Sequence, residues 1–233
     1  MSLSINKFMN YVAIVLDLIH RQEWAALEKV ATTKHKLFKV ISEHIKKCDE
    51  FNGMTLLHAA VKYNPPMHIL DAMIDAHSDA LMGQDCVGRT PLHVACGTGA
   101  DAEIIRLLVE AYPQACDLQD EDGRLPLHLA CDIECVLFEG DQTERAPPTI
   151  DVVRALLSGS WRSVLVEDED EMSPIEYAIV SDANIKVVKL LQKTSMTLRR
   201  KEAQASKAKA TARSTAKDTK PVVPLPRSVL SYC

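Results

Sequence analysis

The chain has 233 residues, 47% hydrophobic, 25% charged and only 5% aromatic, with a formal net charge of -5. This is enough apolar material for a real core, and the 8 glycines are about half the roughly 7% of average proteins, which excludes collagen-like and Gly-rich disordered chains. Seven cysteines with no close-spaced framework argue against a disulfide scaffold and for a reducing compartment, the cytoplasm or the nucleus.

The first predicted element is a helix near the N-terminus. Ile5, Phe8, Met9, Val12, Leu16 and Ile19 recur at steps of three and four, one apolar stripe on a helix. The run from Phe8 to Ile19 is interrupted by Asp17 and is too short to span a bilayer, so no transmembrane segment is expected. Trp24 to Val30 and Leu37 to Ile45 continue the helical pattern. Residues 1–50 therefore read as an N-terminal helical cap or degenerate repeat.

From residue 53 the chain repeats itself. Gly53-Met-Thr-Leu-Leu-His-Ala-Ala60, Gly88-Arg-Thr-Pro-Leu-His-Val-Ala95 and Gly123-Arg-Leu-Pro-Leu-His-Leu-Ala130 start 35 residues apart. A second apolar helical pattern follows each: Ile69-Leu70, then Ile104-Ile105 with Leu107-Leu108, then Val152-Val153 with Leu156-Leu157. Gly88 suits a turn at positive φ, Thr90 caps a helix through its hydroxyl, and Pro91 occupies the first helical position, where its missing N–H costs nothing. His93 has two ring nitrogens, enough to tie its own unit to the backbone of the next.

These residues resemble the ankyrin repeat, whose fingerprint Thr-Pro-Leu-His-x-Ala is matched in full by Thr90 to Ala95. The resemblance covers about residues 50 to 192. It implies an all-α ankyrin-repeat solenoid of stacked helix-turn-helix units with short hairpin loops, at about 54–86, 89–121, 124–169 and 172–193 within residues 51–193. Gly53, Thr55, His58, Gly88, Thr90, Pro91, His93, Gly123, Pro126 and His128 are its structural motif positions. The first unit has Leu56 in place of Pro, and the third has Leu125 in place of Thr, which removes a hydroxyl cap. In the fourth, Glu171 replaces the turn glycine and Glu176 replaces His, so its local geometry is the least determined. The spacing from Gly123 to Glu171 is 48, which places 13 extra residues between the two helices of the third unit. The insert falls near 136–148, and Gly140 to Pro148 is turn-rich.

Few residues carry catalytic or ligand chemistry. His128, Cys131 and Cys135 have helical spacing for three metal ligands but lack an evident fourth. Gly97-Thr-Gly99 follows a helix rather than the strand that a dinucleotide loop requires. No metal, cofactor or catalytic residue is expected. The three motif histidines, one per unit, should stack as a ladder.

Charge is distributed unevenly. Acidic residues cluster where each unit should project its hairpin, at Asp49-Glu50, Asp85, Asp120-Glu121-Asp122 and Glu167-Asp168-Glu169-Asp170-Glu171. The expected contact surface is Asp85, Asp120, Glu121, Asp122, Glu167, Asp168, Glu169 and Asp170, a ridge for a basic protein partner. From Lys193 to Arg227 stand ten basic residues against two acids, net +8, which leaves 17 basic and 30 acidic residues, net -13, in the rest. Residues 194–233 read as a basic tail, disordered or transiently helical, with a PxxP spacing at Pro221 to Pro224 and modifiable hydroxyls at Ser214 and Thr215. The implied function is a non-catalytic protein-interaction scaffold or adaptor working through its concave face and acidic tips. The alternative is a nuclear or nucleic-acid-associated regulator, with nucleic acid or an anionic surface contacted through the tail only.

Overall fold

The computed structural model describes residues 2–47, 52–138 and 145–217. Among them are eleven α-helices and no strands. They form two units, residues 1–195 and 196–233, described separately below.

In the first unit the helices alternate between an inner and an outer layer. Helices α4 (Leu56–Val61), α6 (Pro91–Gly97), α8 (Pro126–Cys131) and α10 (Pro174–Val180) stack in succession as the inner layer. Their outer partners are α5 (Met67–Ala76), α7 (Ala102–Ala111) and α9 (Ile150–Gly159), and after α10 the start of α11 (Ile185–Lys217) buries Val187, Val188 and Leu191. Short 3-10 turns at Ser78–Met82, Pro113–Asp117 and Arg162–Leu165 follow the first three outer helices and lead into the next hairpin. Ile69, Leu70, Ile104, Ile105, Leu108, Val153 and Leu156 are buried between the layers, so the apolar period read from sequence is the core face of the outer helices.

Each inner helix starts because its first turn is satisfied locally. The Thr90 hydroxyl accepts from the His93 amide at 3.4 Å, while the Thr90 amide donates to His93 Nδ1 at 3.1 Å. Thr55 and His58 do the same for α4. At α8 only half of this remains, since Leu125 has no hydroxyl and its amide alone donates to His128 Nδ1 at 2.9 Å. Leu125 is instead buried as a core residue.

The fourth unit keeps the same geometry with different chemistry. Glu171 takes the left-handed φ of 59° that glycine takes in the other turns. The Glu176 carboxylate accepts from the Ser173 amide and the Ser173 hydroxyl, both at 2.7 Å, in place of the imidazole. Its hairpin and cap therefore close despite both departures from the motif.

Before the first repeat, α1 (Ser2–His20) packs on α4, α2 (Trp24–Thr33) packs on α5, and α3 (His35–Lys47) contacts α1, α2 and α5. Among the described side chains of α1, Val12, Val15 and Ile19 are buried and Met9 is 39% exposed, so Val15 joins the expected stripe and Met9 lies at its margin. Four histidines lie at this junction. His20 Nδ1 meets the Tyr63 hydroxyl at 3.0 Å, His35 Nε2 the Asp75 carbonyl at 3.2 Å, His77 Nδ1 the Ser42 hydroxyl at 2.8 Å, and His68 pairs with Glu28 at 3.9 Å.

The segment from residue 194, expected to be disordered or transiently helical, is helix over 194–217, where α11 continues to Lys217. Propensity favours this: Ala, Lys and Arg are 13 of the 24 residues and neither Gly nor Pro interrupts the segment. The second unit holds the part of this helix from Met196 onward. The PxxP segment lies outside the described residues, as do the side chains of Ser214 and Thr215. No described helix is long and apolar enough to cross a membrane.

Candidate functional site

The hairpins stack through backbone hydrogen bonds. The Cys86 amide donates to the Asn52 carbonyl at 2.6 Å, Glu121 to Val87 at 2.9 Å and Glu169 to Asp122 at 3.0 Å. Close approach demands a glycine at the turn: a Cβ on Gly88, at φ 77°, would sit 3.2 Å from Asp120 Cα. Gly53 and Gly123 take the same positive φ.

Within each hairpin an aspartate holds the loop. Asp85 Oδ1 accepts from the amides of Val87 and Arg89 at 3.1 and 2.8 Å. Asp120 Oδ1 accepts from Asp122 and Arg124 at the same distances, and Asp168 Oδ1 from Asp170 and Met172 at 3.1 and 2.9 Å. Asp120 and Asp168 are buried and Asp85 is half-buried. The eight acidic candidates therefore divide. Asp85, Asp120 and Asp168 are committed to the turns, whereas Glu121, Asp122, Glu167, Glu169 and Asp170 are exposed on the tips of the third and fourth units. Asp49 and Glu50, the corresponding acids of the first hairpin, lie outside the described residues.

Arginines at the residue after the turn sit beneath this ridge. Arg124 approaches Asp132, Asp168 and Asp170 at 3.5, 3.7 and 3.9 Å, and its guanidinium lies 5.7 Å from the Tyr177 ring centroid. The Tyr177 hydroxyl donates to Asp168 Oδ2 at 2.7 Å. Burial pushes the Asp168 carboxyl up, but the Tyr177 hydroxyl and the Met172 amide outweigh it, and the net shift is down. Burial prevails at Asp85 and Asp120, whose carboxyls are pushed up.

The three motif histidines form the ladder of one ring per layer. His58 Nε2 lies 2.9 Å from the Arg89 carbonyl, His93 Nε2 3.2 Å from that of Arg124, and His128 Nε2 3.0 Å from that of Val166. All three rings are buried. Burial lowers the His93 pKa to about 4 and also moves His128 down, so these two rings are neutral at physiological pH. His128 thus spends both ring nitrogens on backbone, and no group of three or more His, Cys, Asp or Glu among the described residues could hold a metal ion. Cys131 is buried and its thiol pushed up to about 12, which makes it an inert packing group.

The insert of the third unit supplies what the turn-rich reading of its sequence did not. Between α8 and α9, Arg145 donates to the carbonyls of Cys96, Leu129, Asp132 and Cys135. These lie on α6, on α8 and just beyond α8. With Pro147, Pro148, Lys62, Tyr63 and Asp101, Arg145 borders a cleft of about 620 Å³ at the turn edge of the repeats.

The stacked units, their histidine ladder and their hairpin fingers define a repeat solenoid. The family model for ankyrin repeats, three copies long, matches residues 57–138, and this segment is built of ankyrin repeats. No curated protein matches it at a significant level. Ankyrin repeats are in general protein-interaction modules, the class to which this solenoid belongs.

Proposed function

We propose that this protein is a non-catalytic adaptor that captures a basic protein segment along the acidic hairpin tips of its third and fourth units and the adjoining concave face. The observation that carries this reading is the set of five exposed carboxylates, Glu121, Asp122, Glu167, Glu169 and Asp170, on two tips joined by the bond from the Glu169 amide to the Asp122 carbonyl. Backbone pairing fixes the tips relative to one another, so their charges act as a pre-organised strip rather than as independent loops. Like charges held this close repel, and a cationic partner relieves the repulsion. Charge complementarity of this kind governs association rate and specificity and is screened by salt.

The division of the acids refines which residues do the work. Asp85, Asp120 and Asp168 support the tips and contribute field without touching the partner. The test is therefore reversal of Glu121, Asp122, Glu169 and Asp170 to Lys with the turn aspartates left intact, followed by titration with a Lys/Arg-rich peptide at 50 and 300 mM salt. The expected result is at least a tenfold loss of affinity and a flatter salt dependence. Unchanged affinity and slope in a folded variant would remove the ridge as the contact surface.

A further inference from the structure

The segment leaving α8 behaves as an extended strap laid over the inner helices. Ile133 and Glu134 make a turn, with the Glu134 amide donating to Asp132 Oδ1 at 3.0 Å, and beyond it Cys135, Leu137 and Phe138 are partly covered while Val136 is exposed. The covered side has specific seats. Leu137 rests on Gly97 so closely that a Cβ there would fall 2.3 Å from Leu137 Cδ1. Arg89 donates from its guanidinium to the Leu137 carbonyl at 3.1 Å. The Phe138 ring lies 4.0 Å from Lys62 Nζ, on the first unit.

The covering changes what the inner layer presents. Every residue of α6 and α8 is buried. In α10 the residues equivalent to Cys96 and Gly97 are Ile179 and Val180, and these are 54% and 73% exposed. Stacking accounts for part of this difference, since α6 and α8 each lie between two inner helices and α10 packs on α8 alone; the share of the strap is direct at Gly97, which Leu137 covers. The fit is incomplete, since Arg89 Nε is buried without a hydrogen-bond partner.

We propose that the face of α4, α6 and α8 is a groove for an extended partner segment carrying a large aliphatic residue followed by an aromatic one, and that Cys135–Phe138 occupies it in cis. Gly97 sets the aliphatic seat, Arg89 reads the backbone carbonyl, and Lys62 receives the aromatic ring. This rests on the interaction-module reading but not on the acidic ridge, because none of the three seats belongs to a hairpin tip carboxylate. A tethered occupant acts at an effective concentration on the order of millimolar, so a partner binds well only when it matches the seats better or when the strap is loosened.

The test uses the full chain and a fluorescent peptide of residues 132–138 under reducing conditions. The double variant Leu137→Ala/Phe138→Ala is expected to bind the peptide at least tenfold more tightly than the unaltered chain. Adding Gly97→Ala should abolish that gain by filling the aliphatic seat. Equal binding to the unaltered chain and the double variant, or none to either, overturns the proposal. If the double variant does not fold, hydrogen exchange on the unaltered chain decides: saturating peptide should accelerate exchange of amides 133–138, and unchanged exchange overturns the groove. The tip reversal at Glu121, Asp122, Glu169 and Asp170 should alter peptide affinity by less than threefold, so that groove and ridge fail separately.

Discussion

His93 Nε2 faces the carbonyl oxygen of Arg124 at 3.2 Å, a contact between residues 31 apart that spans the boundary of two repeats. With Nδ1 accepting from the Thr90 amide, the tautomer is fixed: the proton resides on Nε2 and points at the next unit. Protonation of Nδ1 would break the cap and place a charge in the core. The folded-state pKa of about 4 lies below the unfolded value of 6.5, so this contribution is complete above pH 6.5 and is lost as pH falls from there toward 4. For His93 alone the loss is about 3 kcal/mol across that window. Urea unfolding at pH 7.5, 6 and 4.5 should show a midpoint that drops steeply, and His93→Ala should unfold earlier at pH 7.5 with a shallower pH dependence. A midpoint independent of pH across this range would contradict the neutral-ring ladder.

Restoring the motif residue at position 125 should not stabilise the protein. Leu125→Thr would supply the missing hydroxyl cap of α8, worth about 1 kcal/mol. It would also exchange a leucine that is 1% exposed for a smaller polar side chain, at a cost of about 2 kcal/mol. The larger effect is the packing, and a net loss of about 1 kcal/mol is expected in chemical denaturation. A gain would show that the cap outweighs the core at this site.

Glu171→Gly should act in the opposite direction. Glu171 holds φ 59°, a conformation that costs a residue with a side chain about 1 kcal/mol relative to glycine. The replacement should raise stability by about 0.5 to 1 kcal/mol, read as a higher urea midpoint with unchanged slope.

The basic end of the chain gives an electrostatic prediction. A chain ending at Gln192 loses all ten basic residues counted between Lys193 and Arg227 and retains 17 against 30 acids. Its retention on heparin should disappear at low salt, whereas the full chain is held and then eluted by salt. Equal retention of the two chains would remove the tail as the anion-binding segment.

Legibility in the sequence followed the range of the interactions. The turn glycines, the threonine caps and the histidines act on neighbours three residues away or one repeat away, and a fixed period exposes both distances. The acidic candidates were less separable, because the same period marks a structural aspartate and a solvated one. The signal that divides them is position. Asp85, Asp120 and Asp168 each stand three residues before the turn residue, the placement of a side chain that folds onto its own loop. The destination of the insert was not legible. Leu137 meets Gly97 and Arg89, Phe138 meets Lys62, and Arg145 meets Cys96, partners 40 to 76 residues upstream that no repeat relates to them. Composition described that segment as a loop, and only its side chains reveal its seat.

The backbone rungs from Cys86 to Asn52, Glu121 to Val87 and Glu169 to Asp122 make adjacent units mechanically continuous at their outer edge as well as through their cores. A turn that cannot close up against its neighbour is therefore a fracture line. A bulky residue at position 88 would part the rung above it and leave each side to melt at its own temperature, turning one cooperative transition into two.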